Sequence, residues 1–265
     1  APLCGLNVYG KSTQDGTPSP DTPVPIVSAG DGGSVAVKVT GKNRMPPNLK
    51  RGNVVECFVK KNTPITLVFK GDFVSQGGNI LFIGENNENL WFGIDAGKAE
   101  HHITLKANAT KFQYLLNNTA SENVCLTWNA SSPDYEPYRE QLLTLPTPNG
   151  LPGIPVTSGG NYTDQNGQQW VCDEVDLERG VKVLRIDKGA FDATKALAEQ
   201  SVIRDTPIET PLTPAEIAAY KALTAYAPDT VVQTSDGTGV KLEYQRDVNI
   251  AIKKLEDAIA SMTAT

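Results

Sequence analysis

The sequence predicts a mainly β protein: an antiparallel β-sandwich of jelly-roll-like type, a β-meander, and a small α-helical C-terminal region. Three observations predict it. Between residues 54 and 128, short runs of β-forming residues recur about every ten residues, separated by Gly and Asn. Asn166-Gly167 stands between Tyr162-Thr163 and Trp170-Val171, which is a hairpin signal. Convincing helix signals appear only after residue 212, and 23 Gly with 18 Pro favour turns over long helices.

Residues 1–45 read as a Pro/Gly-rich extended arm with one strand. Pro18, Pro20, Pro23 and Pro25 fix φ and remove backbone donors, so residues 10–34 suit neither helix nor central strand. Val24-Pro25-Ile26-Val27 offers this arm apolar side chains to bury. Residues 35–40 alternate, with Val35, Val37 and Val39 on one face. Residues 46–138 read as the sandwich. Its strands are expected at 54–59, 65–69, 80–83, 90–94, 102–106, 112–116 and 124–128.

Residues 139–187 read as a Pro-rich connector and the meander. Asn166-Gly167 is expected to form a type I′ turn, and Val181–Ile186 the third strand. Residues 188–265 read as the helical region. Thr213, Pro214 and Glu216 predict a capped helix start, with Leu212 and Ile217 as a staple and Pro228 as the stop. Asp236-Gly237 predicts a small hairpin between 231–234 and 239–244. A last helix over 245–262 carries Val248, Ile252, Leu255, Ile259 and Met262 at heptad spacing. That stripe predicts a homo-oligomer; the competing reading packs it on the Pro214 helix of its own chain.

Composition excludes some functions. Net charge is −6 with scattered Lys and Arg, which does not suit nucleic acid. No apolar run approaches the roughly 18 residues of a membrane span, so no membrane insertion is expected. The start lacks the basic and apolar regions of a signal peptide. Cys4, Cys57, Cys125 and Cys172 show no Cys-x-x-Cys spacing, so a zinc ribbon or redox motif is not expected; buried or idle thiols are the reading, with one or two disulfides as the alternative.

No metal site, cofactor or catalytic set is expected. His101 and His102 are adjacent in a strand, so they point to opposite faces, one to the core and one to solvent. Asp134, Glu136, Asp173, Glu174 and Asp176 are carboxylates of the kind glycosidases pair, but nothing in their spacing singles out a pair. Sugar sites combine aromatic faces with amide and carboxylate side chains. Trp91 with Asn86 and Asn87 has that mix, as does Trp128 with Tyr135 and Tyr138. The competing reading makes both tryptophans core residues of the sandwich.

Three stretches carry a resemblance. They are Tyr9–Ile26, Gly160–Glu174 with its Asn166-Gly167-Gln168-Gln169-Trp170-Val171-Cys172, and Thr210–Leu223. In this order they resemble tail proteins, or minor structural proteins, of phages and prophages of Gram-positive bacteria. Residues 46–130 match least, and for the sandwich at 46–138 the resemblance implies likeness to a carbohydrate-binding module. The resemblance implies a structural component of a tail tip, baseplate or fibre, produced in the bacterial cytoplasm and carried in the virion. It implies threefold assembly, contacts with other tail proteins, and adhesion to a host-surface glycan. The alternatives are a carbohydrate-binding adhesin module of a bacterial surface protein and a glycan-degrading tail enzyme.

Overall fold

The computed structural model describes residues 2–128, 130, 134–226, 229–234 and 238–243. Strands take 46% of the described residues and helices 7%, so the protein is mainly β. No described helix is long and apolar enough to cross a membrane. The chain divides into two compact units. The first draws its described residues from Ala1–Lys38, Leu142–Thr224 and Val232–Thr265, and the second from Val39–Gln141 and Ala225–Val231.

The second unit contains all seven strands expected between 54 and 128. Val54–Val59, Ala109–Leu116, Gly78–Gly84 and Asn89–Ile94 form one antiparallel sheet in that order. Val124–Trp128, Pro64–Phe69 and Glu100–Thr104 form another. Alternation sends Ile80, Phe82, Phe112 and Tyr114 of the first sheet and Ile65, Leu67, Val124 and Leu126 of the second into one apolar cluster. Asn43, 2% exposed, ties this core to its surroundings. Its Nδ2 donates to the carbonyls of Val124 (3.1 Å) and Glu136 (2.8 Å), and its Oδ1 accepts from the N–H of Met45 (2.9 Å) and Leu126 (3.1 Å).

The first unit is built on a five-stranded antiparallel sheet. Its order is Ile203–Pro211, Val181–Ile186, Glu174–Asp176, Cys4–Tyr9, Gly239–Glu243. A smaller sheet holds Gly153–Val156, Gln169–Cys172 and Tyr162–Thr163. The expected meander therefore splits between two sheets. Gln169–Cys172 pairs within the small one, and a three-stranded meander starts only at Glu174 and ends at Pro211. Asp173 separates the two sheets, and its Oδ1 accepts from the N–H of Arg185 (2.6 Å) and Ile186 (2.8 Å).

The hairpin turn also differs from type I′. Gly167 takes φ 84°, and Asn166 is not at positive φ. Gly167 N–H donates to the Asp164 carbonyl (3.0 Å), as in a type I turn followed by a left-handed residue. The Asp164 side chain selects it: Oδ1 accepts from the N–H of Asn166 (2.9 Å) and Gln168 (3.0 Å), and Oδ2 from Trp170 Nε1 (3.0 Å).

The arm reading of residues 1–45 is corrected in part. Cys4–Tyr9 is an interior strand, with Leu6 and Val8 fully buried. Gly10 follows where backbones crowd: a Cβ there would collide with the carbonyls of Leu151 and Pro152. Residues 14–26 run along the unit's own chain. Gln14 Nε2 donates to the Val24 (3.0 Å) and Lys195 (3.1 Å) carbonyls, and the Val24 N–H donates to the Ala193 carbonyl (2.8 Å). Ile26 packs on the cluster of Ile154, Val171, Ile186, Leu197 and Val202, whereas Val27 is exposed. Gly33–Thr40 buries Val35, Val37 and Val39 as expected.

The described part of the region after residue 188 is less helical than expected. It contains the nine-residue strand Ile203–Pro211, exposed along almost its whole length. Pro207 and Pro211 give this edge strand fewer donors, a common protection of sheet edges. Helix Pro214–Lys221 has the expected cap: Thr213 Oγ1 accepts from the Glu216 N–H (3.2 Å) and Glu216 Oε2 from the Thr213 N–H (2.8 Å). It ends at Lys221, ahead of Pro228. The expected 231–244 hairpin does not form. Val231–Thr234 joins the sheet of Gly33–Thr40, and Gly239–Glu243 pairs with Cys4–Tyr9. The expected 245–262 helix, with Val248, Ile252, Leu255, Ile259 and Met262, lies outside the described residues.

Candidate carbohydrate-binding face

The face of the four-stranded sheet that points away from the core is set by strand register. Three rungs cross it. Trp91, Leu81, Gln113 and Val54 are in register on one; Asn89, Ile83, Lys111 and Glu56 on the second; Gly93, Asn79 and Leu115 on the third. Leu90, Phe92 and Ile94 turn inward on the same edge strand, so period-2 alternation forces Trp91 outward. Trp91 is 55% exposed, and its register partner Leu81 is buried. The core reading therefore fails for Trp91.

Polar residues share this face with Trp91. Asn89 precedes Trp91 by two residues on the same face, and Asn79 lies across from Gly93. A Cβ built at Gly93 would meet only the Asn79 Oδ1, at 3.9 Å, so the surface beside that amide is open. Gln113 Nε2 donates to the Gly52 carbonyl (2.9 Å). Lys111 Nζ lies 3.2 Å from Glu56 Oε1.

Asn86 and Asn87 sit in the turn joining Trp91's strand to Gly78–Gly84, and both are exposed. Asn87 takes φ 59°, a conformation Asn tolerates better than most residues. The Asn86 N–H donates to Glu88 Oε2 (2.9 Å). The turn accounts for these two residue types, and their side chains remain open to solvent at one end of the face.

Trp128, Tyr135 and Tyr138 do not join this face. Trp128 is 9% exposed and belongs to the core, edge-on to Phe82 with centroids 6.5 Å apart. The Arg44 guanidinium lies 4.9 Å from its ring centroid, and burial pulls that group down to about 10. Tyr135 donates its hydroxyl to the Glu122 carbonyl (2.6 Å), and Tyr138 to Glu140 Oε2 (2.6 Å). Burial first, then the Glu140 carboxylate, raises the Tyr138 pKa. Trp128 therefore offers no ring face to a sugar, and the hydroxyls of Tyr135 and Tyr138 already donate to protein acceptors. Residue type could not separate Trp91 from Trp128; register could. The same register adds Asn79, Asn89 and Gln113, which composition alone did not select.

The remaining candidate groups have structural partners. His101 is buried against Phe69, while His102 is exposed and bonds Glu100 (2.9 Å), so the two rings face opposite sides as expected. Glu174 Oε2 accepts from Asn161 Nδ2 (2.8 Å) and Arg185 Nη1 (2.9 Å), and Asp176 Oδ1 from the Arg179 N–H (2.9 Å). Glu136 lies between Lys42 (3.9 Å) and Arg139 (3.3 Å). Among the described residues no group of three or more His, Cys, Asp or Glu is placed to hold a metal ion. None of Cys4, Cys57, Cys125 and Cys172 is in a disulfide, and burial pushes Cys57 and Cys172 up to about 12.

Burial also raises the Asp173 carboxyl to about 6, outweighing its two backbone N–H donors. A raised pKa means the folded state holds the proton more tightly than the unfolded state. The resulting stability is fully present below pH 3.8 and is lost as pH rises through about 6. Between pH 7 and pH 4 the protein is therefore expected to gain up to about 3 kcal/mol relative to an Asp173→Asn variant. Urea unfolding of both proteins at the two pH values measures this. An unchanged difference would refute the assignment.

Comparison with protein-family models, curated proteins and solved structures returned no match.

Proposed function

We propose that the protein is a structural component of a phage or prophage tail, acting in assembly and in adhesion to the host surface without turnover. The observation that carries the adhesion reading is Trp91, a large aromatic held outward on an open sheet face among amide side chains. The tail reading rests on the three resembling stretches. All three fall in the first unit, and the poorly matching 46–130 falls in the second. This division supports a shared tail scaffold that carries a variable module. We read the second unit as a jelly-roll-like antiparallel sandwich, since its two sheets share one core.

In this reading other tail proteins are the assembly partners and a host glycan is the adhesion partner. The 245–262 segment contributes to a homotrimer. Antibody against the purified chain should label the tail end of intact particles in electron micrographs. Its absence from particles, with labelling of bacterial surfaces in phage-free cultures, would favour an adhesin module of a surface protein. Light scattering should give a trimer mass at micromolar concentration, and a monomer mass would remove the oligomer from the proposal.

A further inference from the structure

The charge pattern of the Trp91 face narrows the class of ligand. On its three rungs the only charged side chains are Lys111 and Glu56, which neutralise one another at 3.2 Å. The chain as a whole carries −6. Recognition of phosphate or carboxylate polymers depends on clustered Arg and Lys, and an acidic surface repels them. Neither the face nor the net charge suits an anionic wall polymer. What the face does offer is an exposed indole with Asn79 and Asn89 beside it. An indole buries the apolar C–H face of a pyranose ring, while side-chain amides both donate to and accept from its hydroxyls.

We infer that this face binds an uncharged glycan, one pyranose ring stacked on Trp91 and its hydroxyls held by Asn79 and Asn89. Gly93 is part of the site. Its missing side chain leaves the space through which a ring on Trp91 reaches the Asn79 amide. This inference rests on the adhesion reading above and names its ligand class.

The test uses the full chain and two sets of soluble polymers. The neutral set is a β-1,4-glucan, a mannan and a galactan; the anionic set is polygalacturonate and lipoteichoic acid. Affinity electrophoresis should show retardation by at least one neutral polymer, unchanged in 0.5 M NaCl, and none by the anionic pair. Trp91→Ala should weaken binding at least tenfold, and Gly93→Val, which blocks the approach to Asn79, should do the same. Trp91→Phe should retain most of it. Binding only to anionic polymers, binding to none of the five, or a Trp91→Ala protein that folds and binds normally would overturn the inference. Binding of labelled chain to Gram-positive cells is scored separately. Cell binding that survives both Trp91→Ala and Gly93→Val sinks the neutral-glycan site and leaves adhesion standing. No cell binding by the wild-type chain sinks adhesion itself.

Discussion

Replacing Trp128 with Ala is expected to cost the second unit about 3–5 kcal/mol of unfolding free energy. The ring fills the core beside Phe82, and little of it reaches solvent. Its loss leaves a cavity that the strand Val124–Trp128, hydrogen-bonded in register to Pro64–Phe69, cannot easily close. It also strips the cover from Arg44, a buried guanidinium whose pKa burial lowers and whose Nε has no hydrogen-bond partner. Thermal and urea unfolding of the wild type, Trp128→Ala and Trp91→Ala test this together. The Trp91 variant should stay within about 0.5 kcal/mol of wild type, as surface substitutions do. Equal losses in both variants would contradict the opposite burial of the two rings.

Asn43→Ala should be of similar severity. The substitution removes all four hydrogen bonds of a buried amide, orphaning two N–H groups and two carbonyls. Each buried group left without a partner costs about 1–3 kcal/mol, so a total near 4 kcal/mol or more is expected. Asn43→Asp should not rescue it. An oxygen would replace Nδ2 opposite the Val124 and Glu136 carbonyls, and a charge would be buried with it. Amide hydrogen exchange at Met45 and Leu126 supplies a local readout. Both amides should exchange much faster in the Ala variant, and unchanged protection would show that the network is not needed.

Much of the second unit was legible because its strands are short, punctuated and alternating. Every expected strand between 54 and 128 is present, with ends shifted by at most three residues. The errors fall where pairing is long-range or where a side chain overrides the turn. Cys4–Tyr9 was missed because Gly5 and Asn7 weaken its β signal, although Leu6 and Val8 alternate; its partners supply the rest. Ile203–Pro211 has no buried face, so it has no hydrophobic period to read. At 164–167, Asn-Gly suggested one turn, and the three hydrogen bonds of the Asp164 carboxylate made another. The site was half legible. Aromatic and amide residues marked two regions, and only the strand register showed that Trp91 faces outward while Trp128 faces the core.

The position of Cys4–Tyr9 also bears on how the chain is made. This strand lies between Glu174–Asp176 and Gly239–Glu243, and Gly5 donates to Glu178 across 173 residues of sequence. On the ribosome it leaves the tunnel before both of its neighbours and then waits for them. The seven strands of the second unit are all synthesised in the interval. Those strands, all within 54–128, can pair during translation, whereas the five-stranded sheet is completed only once Gly239–Glu243 has been made. Until then the apolar side chains of Leu6 and Val8 stay uncovered, so slow translation between 176 and 239 prolongs the time in which a nascent chain can associate wrongly.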